Sequence, residues 1–488
     1  MNLFNRAEVI DQNFTKYIKN DDLPDGNNEL TLSNISISHS ELISIFESQV
    51  FSRHMDLKAR ELKEKGECFY TIGSSGHESN AVFGNIFPLT DIAFLHYRSG
   101  AFFIERSKQL HNSTPLYDMA LSYMASSEDP ISGGRHKVIG SKRLNIPPQT
   151  STIASHIPKA VGTAFSIDRA RDLDIKEREL VSDGIVLCSF GDASVNHASA
   201  LSGFNTARWV KSIGGNVPIV FICEDNGYGI SVPTPDNWIE NTFLNQQSIK
   251  YFQCDGLNLI DTIIATQKAQ EYCRTKRSPV FLHMKTVRLM GHAGSDIESS
   301  YLSINEIEET EKNDPLLHSA RIMIDNSLLS SDEILGLYEQ AKTRIHYVFE
   351  KATTRPKLVE SSDVMKSILS NNSKNIAPNF ADAKIRAKIF GKEYKRLEQP
   401  SHMAKLINYA LKDLMLQYEN ILVFGEDVAK KGGVYNVTAD LYKQFSIRRV
   451  FNSPLDETSI LGFAAGLAHN GFLPIPEIQF LAYFHNAE

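Results

Sequence analysis

The stretch that decides the fold is "GIVLCSFGDASVNH", residues 184–197. Its first seven residues are apolar and rich in β-branched and aromatic side chains, with no polar alternation. That pattern suits a strand covered on both faces of a parallel sheet. A second run of the same kind, "PIVFIC" (218–223), follows. Between them Ala200, Phe204 and Ala207 fall at i, i+4 and i+7, the spacing of a crossover helix. Strand, helix and strand make a βαβ unit. The alternation of apolar runs with helical stretches across residues 40–350 predicts an α/β fold, a parallel sheet flanked by helices.

Both runs end in polar turns, "GDASVNH" and "EDNGYGIS". In open α/β sheets ligands bind outside the carboxyl ends of the strands. The Asp192 carboxylate, the Asn226 side-chain carbonyl and the Tyr228 main-chain carbonyl are three hard oxygen ligands. Mg2+ takes six oxygens and commonly completes its shell with phosphate and water. A metal–diphosphate clamp is therefore expected at this edge. Each motif alone also reads as punctuation, Asp192 as a helix N-cap and "DNG" as a turn. Their recurrence at consecutive parallel strand ends favours the site.

The 488 residues allow two or three domains of about 150 residues each. A net charge of -7 argues against a general nucleic-acid binder, which would show a basic stripe. The five cysteines form no CxxC pair, and those in apolar runs read as buried thiols of a reducing compartment. The N-terminus carries no signal or presequence pattern, and no apolar run approaches the ~20 residues of a membrane span. These features lead us to expect a cytoplasmic protein with no membrane partner. Residues 1–39 read as a flexible arm, 40–350 as the first α/β domain and 351–400 as a Ser- and Asn-rich linker with short helices. Residues 401–488 begin a second α/β pattern, in which Met403, Ile407, Ala410, Leu411 and Leu414 share a helix face before the strand "ILVF".

One further stretch stands out. In "VRLMGHAGSD" (287–296) Arg288, His292 and Asp296 recur every four residues, as on a helix face. Gly291 and Gly294 each cost a helix interior about 1 kcal/mol, so the segment reads as a loop. It is either a mobile active-site loop that brings charged groups to an anionic ligand or a solvated surface loop.

Taken together, these motifs resemble the E1 component, the thiamine-dependent decarboxylase, of the 2-oxoacid dehydrogenase complexes. In residues 40–340, "HYRSG", "IPKAVGTAFSIDRA", "SFGDASVNHASALSGFNTA", "FICEDNGYGISVPTP" and "RLMGHAGSD" follow the order of its α subunit. In residues 402–488, "GEDVAKKGGVY", "RVFNSPLDETSILGFAAGLA" and "PEIQFLAY" resemble the start of its β subunit. The chain thus resembles an α–β fusion of the branched-chain type and reads as truncated in the β part, at "FHNAE". With part of a sheet absent, residues 402–488 are expected to be poorly ordered or aggregation-prone.

The resemblance implies a thiamine diphosphate-binding fold, then the start of a pyrimidine-binding domain, with thiamine diphosphate and Mg2+ as cofactors. It implies that Asp192, Asn226 and Tyr228 hold the metal, with Gly191 and Ala193 beside them in the cofactor turn. Tyr97 and Arg98 match diphosphate-binding residues, a task that suits a guanidinium. Ile153 matches the large apolar residue that bends the cofactor. His292 matches a histidine that reaches the diphosphate and the reacting carbon and assists acylation of lipoyl. Arg288 and Asp296 match partners that order its loop. Glu457 matches the glutamate that exchanges a proton with the aminopyrimidine N1′, so that the cofactor's own imino group can deprotonate its thiazolium carbon. Glu457 also fits a first-turn helix acid favoured by the macrodipole. Leu455, Gln479 and Tyr483 match residues lining that pocket.

The implied reaction is oxidative decarboxylation of a small 2-oxo acid, branched-chain by overall likeness. The acyl group passes to the lipoyl group of an E2 acyltransferase partner, and the enzyme is a homodimer of the full fusion. Two departures stand out: Glu224 where many relatives have Arg, and Ala293 where regulated α subunits carry a phosphorylatable Ser. "GGRHKVIG" does not register against the family, so Arg135 and His136 receive no role. Two other functions stay open, a transketolase-like ketol transfer and a non-catalytic remnant that binds cofactor or E2.

Overall fold

A computed structural model describes residues 5–25, 30–68, 72–149, 151–368 and 381–488. The two apolar runs become neighbouring central strands. In chain order the first part contributes β1 (Ile92–Phe94), β2 (Val186–Gly191), β3 (Ile219–Asp225), the short pair β4 (Tyr228–Gly229) and β5 (Val232–Pro233), β6 (Lys250–Asp255) and β7 (Val280–Lys285). Five of them form a parallel sheet in the order β1-β2-β3-β7-β6. Alternate residues of β2 and β3 point to opposite faces, and both faces are covered. Cys188, Phe190, Phe221 and Cys223 pack under the helices His156–Asp172 and Ala198–Ser212. Leu187, Val220, Ile222 and Leu282 pack on the other side with Met55, Phe102 and Phe349. Burial on two faces is why these runs lack alternation. The crossover residues Ala200, Phe204 and Ala207 are all buried, as their spacing predicts.

The second part forms β8 (Ile421–Gly425), β9 (Val450–Asn452) and β10 (Leu473–Glu477), a parallel sheet in the order β10-β8-β9. Leu422 and Phe424 join the main core, while Ile421, Val423 and Val450 build a second one with Leu411, Met415 and Leu441. The two parts meet where the helix Glu457–Ala468 crosses the helix His156–Asp172. Glycines make that approach close. A side-chain carbon on Gly466 would sit 2.5 Å from Thr163 N and nearer still to Lys159 O. One on Gly162 would meet the main chain of Phe463, and one on Gly462 would meet Pro158. Thr163 Oγ1 donates to Gly466 O at 3.0 Å across the seam. Phe463 stacks obliquely on Phe165, with ring centres 5.0 Å apart.

Three expectations need correction. The described residues of the expected N-terminal arm, 5–25 and 30–39, are not free: Asn5 caps the helix Arg6–Lys19, which buries Ala7, Ile10, Phe14 and Ile18. Their spacing of three and four is a helical stripe set among polar residues. Asp11 accepts hydrogen bonds from Tyr338 and Lys342 at 2.9 and 2.6 Å, which tie the helix down. In the 351–400 segment one helix runs on to Thr353, and short ones span Ser361–Met365 and Ala383–Phe390. Residues 369–380 of that segment lie outside the described residues. Residues 402–488 are not poorly ordered, because the glycine seam and the shared core anchor them to the first sheet. In the helix Met403–Gln417 the buried face is Asn408, Tyr409, Leu411, Lys412 and Met415, whereas Met403 is 75% exposed and Ile407 41%. Asn408 is turned inward by hydrogen bonds to Val437 O and Ala439 O.

All five cysteines are buried. No helix among the described residues is long and apolar enough to cross a membrane. The glycine seam yields a test. We expect Gly466→Leu to cost about 3 kcal/mol of stability by overpacking, read as a lowered urea midpoint. An unchanged midpoint would mean that the seam tolerates side chains and does not define the interface.

Candidate active site

The carboxyl edge of the five-stranded sheet gathers most of the residues singled out from sequence. β2 ends at Gly191, paired with Glu224 of β3, so the two polar turns start side by side. Asp192 is almost fully buried, and its Oδ2 accepts a 2.8 Å hydrogen bond from Thr234 Oγ1. Burial and then the charge of Asp225 push its carboxyl up to about 7, against the opposing hydrogen bond from Thr234. Asn226 Oδ1 accepts from Tyr228 N at 3.1 Å, and its Nδ2 contacts His77 Nε2 at 2.9 Å. The short hairpin β4–β5 lies against the turn after β2: a side-chain carbon on Gly229 would be 2.9 Å from that of Ala193. Asp192, Asn226 and Tyr228 thus sit on two turns in contact. A buried carboxylate with its ionisation suppressed, beside neutral oxygen donors, fits a hard cation. Such an ion would supply the positive charge that the site lacks.

The neighbouring strand end carries the anion-binding candidates. Arg98 is buried, donates from Nη1 to Gly73 O at 2.6 Å and lies 5.1 Å from the centre of the Tyr97 ring. Its Nη2 donates to His292 Nδ1 and His292 O, both at 3.3 Å. The Tyr97 and His292 rings meet edge to face at 6.0 Å. Burial, then the Arg98 and Arg288 guanidinium groups, push His292 down to about 4, so its ring is neutral at pH 7. Ile153 is half-buried and shares a small recess with Tyr97, His96, Phe190 and Ser194. Arg98, Tyr97 and His292 therefore stand together, and Ile153 lies beside them.

The 287–296 segment is a loop, as its glycines predict, and it is braced at both ends. Arg288 donates to Ile230 O at 2.6 Å and to Tyr301 Oη at 2.9 Å, while Tyr301 Oη donates to Asp296 Oδ2 at 2.8 Å. Asp296 also accepts from His292 N at 2.6 Å and lies 3.9 Å from Arg288. Leu289 and Met290 are buried against Ala7 and Ile10 of the N-terminal helix. Arg6 of that helix donates to Leu289 O at 2.9 Å and pairs with Glu298 and Glu311. The segment taken for a free arm is thus a buttress for the loop.

Four residues here were not singled out from sequence: His77, His96, Thr234 and Tyr301. Both ring nitrogens of His96 are buried without a partner among the described residues, and the ring lies against Gly191. His96 was visible within "HYRSG" and Thr234 within "FICEDNGYGISVPTP"; for His77 and Tyr301, isolated single residues gave no pattern to find.

The β-like residues gather elsewhere. Glu457 opens the helix Glu457–Ala468, is buried, and accepts a 3.5 Å contact from Asn486 Nδ2. Burial, and then the charge of Glu457, raise Glu426 above the usual carboxylate range, and Gln479 donates to Glu426 O at 3.3 Å. Glu457 and Gln479 therefore converge on the carboxyl end of β8. Tyr483 packs on Phe480 with ring centres 5.5 Å apart, and Leu455 is 84% exposed. Among the described residues no hydrogen bond, ion pair or ring contact joins these four to Asp192, Asn226, Arg98 or His292.

Comparison with known proteins agrees with this division. Residues 47–360 match the family "Dehydrogenase E1 component", and residues 399–488 match "Transketolase, pyrimidine binding domain". The 2-oxoisovalerate dehydrogenase subunit alpha, mitochondrial, of Mus musculus is 25% identical over 328 residues, 66% of this chain and 69% of that protein. The 3-methyl-2-oxobutanoate dehydrogenase subunit beta of Mycobacterium tuberculosis is 48% identical over 91 residues, 19% of this chain and 26% of that protein. Among solved structures, transketolase from Leishmania mexicana shares the fold, with a TM-score of 0.53 and 13% identity. That match covers 92% of this chain, which spans 65% of the transketolase chain. The chain belongs to the dehydrogenase E1 component family, with an α-subunit-like part followed in the same polypeptide by a β-subunit-like pyrimidine-binding domain.

Proposed function

We propose that the chain catalyses thiamine diphosphate-dependent oxidative decarboxylation of a 2-oxo acid, branched-chain in preference, and passes the acyl group to the lipoyl group of an E2 acyltransferase. The observation that carries this reading is the pair of turns after β2 and β3. There a buried carboxylate and two neutral oxygen donors adjoin Arg98 and a neutral His292. In this reading Asp192, Asn226 and the Tyr228 carbonyl hold Mg2+ against the diphosphate, with Gly191 and Ala193 shaping the turn. Tyr97 and Arg98 hold the diphosphate, and Ile153 supports the bend of the cofactor. When bound, thiamine diphosphate supplies a carbon acid that adds to the 2-oxo group and accepts the electron pair released with CO2.

The protein's own share is positioning and proton handling. Arg98 fixes its guanidinium by donating to Gly73 O, which leaves other N–H groups for phosphate oxygens. His292, neutral and accepting from Arg98 at Nδ1, keeps its Nε2–H to donate a hydrogen bond to the bound ligand. Glu457 serves N1′ of the aminopyrimidine, with Leu455, Gln479 and Tyr483 around it. Because, among the described residues, the Glu457 group makes no bond to the Asp192 edge of its own chain, a second copy supplies it, and the working unit is a homodimer. Exposed Leu455 and Tyr483 suit such a contact.

Asp192→Ala is expected to abolish Mg2+-dependent binding of thiamine diphosphate in calorimetric titration while the thermal unfolding temperature holds. Unchanged cofactor affinity would remove Asp192 from the metal set. The sign of the pH dependence follows from the same residue. The cation needs Asp192 ionised, and without a cation its carboxyl sits at about 7. Apparent Mg2+ affinity should therefore be flat above that pH and fall by up to about tenfold per unit below it; a decline that starts only near pH 4 would contradict the assignment.

Substrate class is read by steady-state assays with 2-oxoisovalerate, pyruvate and a ketose donor, thiamine diphosphate, Mg2+ and an artificial electron acceptor. We expect 2-oxoisovalerate to give the highest kcat/KM. Turnover of the ketose alone would favour ketol transfer, and tight cofactor binding without any turnover would favour a binding role.

A further inference from the structure

Glu224 places a carboxylate at the end of β3, directly before Asp225 and Asn226, and its surroundings explain how that carboxylate is accommodated. It is almost fully buried at the end of β3, and its Oε2 lies 2.7 Å from His77 Nδ1 and 3.3 Å from Asn80 Nδ2. Asn80 is locked the right way round to donate, because its Oδ1 accepts from Phe102 N at 2.9 Å and its Nδ2 also donates to Arg98 O at 3.0 Å. Glu224 Oε2 is therefore the acceptor of two hydrogen bonds, and His77 must carry its proton on Nδ1. A neutral imidazole with Nδ1–H has a bare Nε2 that can only accept. Among the described residues the one neighbour bonded to that nitrogen is Asn226 Nδ2, at 2.9 Å. The Asn226 amide must then turn its NH2 toward His77 and its oxygen toward Tyr228 N, on the side where the hairpin meets the Asp192 turn. His77, Glu224 and His96 also lie close enough together to suggest a cation site of their own. Both nitrogens of His77 are already committed, to Glu224 and to Asn226, so the trio is better read as a relay.

We propose that Glu224 and His77 are positioning residues that fix the side-chain amide of Asn226 so that its carbonyl oxygen, not its NH2 group, faces the metal. The inference rests on Asn226 being a metal ligand and adds the device that orients it. Hydrogen-bonded partners of this kind typically change metal affinity by about 10–100-fold when removed. Asn226 is a weak neutral ligand whose amide can present either end, so a device that selects the oxygen is needed more here than at Asp192.

The test uses Mn2+ as the probe, with the full chain and saturating thiamine diphosphate, and free Mn2+ read by electron paramagnetic resonance. His77→Leu should weaken Mn2+ binding by at least about tenfold, and in the Asn226→Ala background the same change should have no further effect. Native Mn2+ affinity in His77→Leu overturns the proposal, and so does an additional loss in the double variant, which would show His77 acting directly. If Asn226→Ala itself binds Mn2+ as the native chain does, it is the ligand assignment that fails, and the orienting role falls with it. Should His77→Leu not fold, long-range 1H–15N correlation on the native chain labelled at histidine decides the matter. The Nδ1–H tautomer at His77 is expected, and a proton on Nε2 overturns the proposal.

Discussion

The close crossing of the helices His156–Asp172 and Glu457–Ala468 is the contact on which the arrangement of the molecule depends. Three glycines remove the side chains that would hold the backbones apart, and Thr163 adds a hydrogen bond where they meet. Helices that approach this closely have little freedom to slide, so the second sheet inherits a fixed position relative to the first. The same two helices cover the inner faces of their own sheets. One core therefore runs from Phe190 and Phe221 through Phe165 and Phe463 to Phe424. A pair of α/β units with separate cores would be free to move; this pair is not.

On that frame the carboxyl edge of the first sheet concentrates buried charge. Glu224 and Asp225, the two residues before Asn226, are each matched by a buried histidine: His77 at 2.7 Å and His283 at 2.8 Å. His283 is held in turn by Tyr251 Oη at 2.7 Å. Each pair satisfies a carboxylate that would otherwise be costly to bury, and each anchors the turn from a different direction. Among the described residues no histidine bonds to Asp192, and burial, then the charge of Asp225, push its carboxyl up. The contrast separates the acids matched by a histidine from the one that is not.

The loop at 287–296 shows how distant parts of the chain serve one site. Arg288 links it to the hairpin through Ile230, and Asp296 closes it on itself through Tyr301 and His292 N. Its apolar residues Leu289 and Met290 turn away from the site and pack on the N-terminal helix. The four-residue spacing of Arg288, His292 and Asp296 therefore arises without a helix.

Much of this was legible from local pattern. Strands β2 and β3, the crossover helix between them and the oxygen donors at their ends follow from period, length and turn chemistry, which act between near neighbours. The small residues of "AVGTAFS" and "LGFAAGLA", three glycines among them, were also in plain view, but only packing shows that these two segments meet. Residues 1–39 were misread because their apolar stripe is sparse and their partners, at Leu289 and Tyr338, lie far along the chain. His77 was invisible for the same reason: it reaches Glu224 across 147 positions and Asn226 across 149. Whether Glu457 stands beside Asp192 in its own chain was likewise undecidable from order alone. Sequence by itself determined the strands and the chemical types at their ends, because those depend on local periodicity. Only the tertiary structure decided which buried acid has a histidine partner and which has none among the described residues, because that depends on side chains that folding brings together from distant segments.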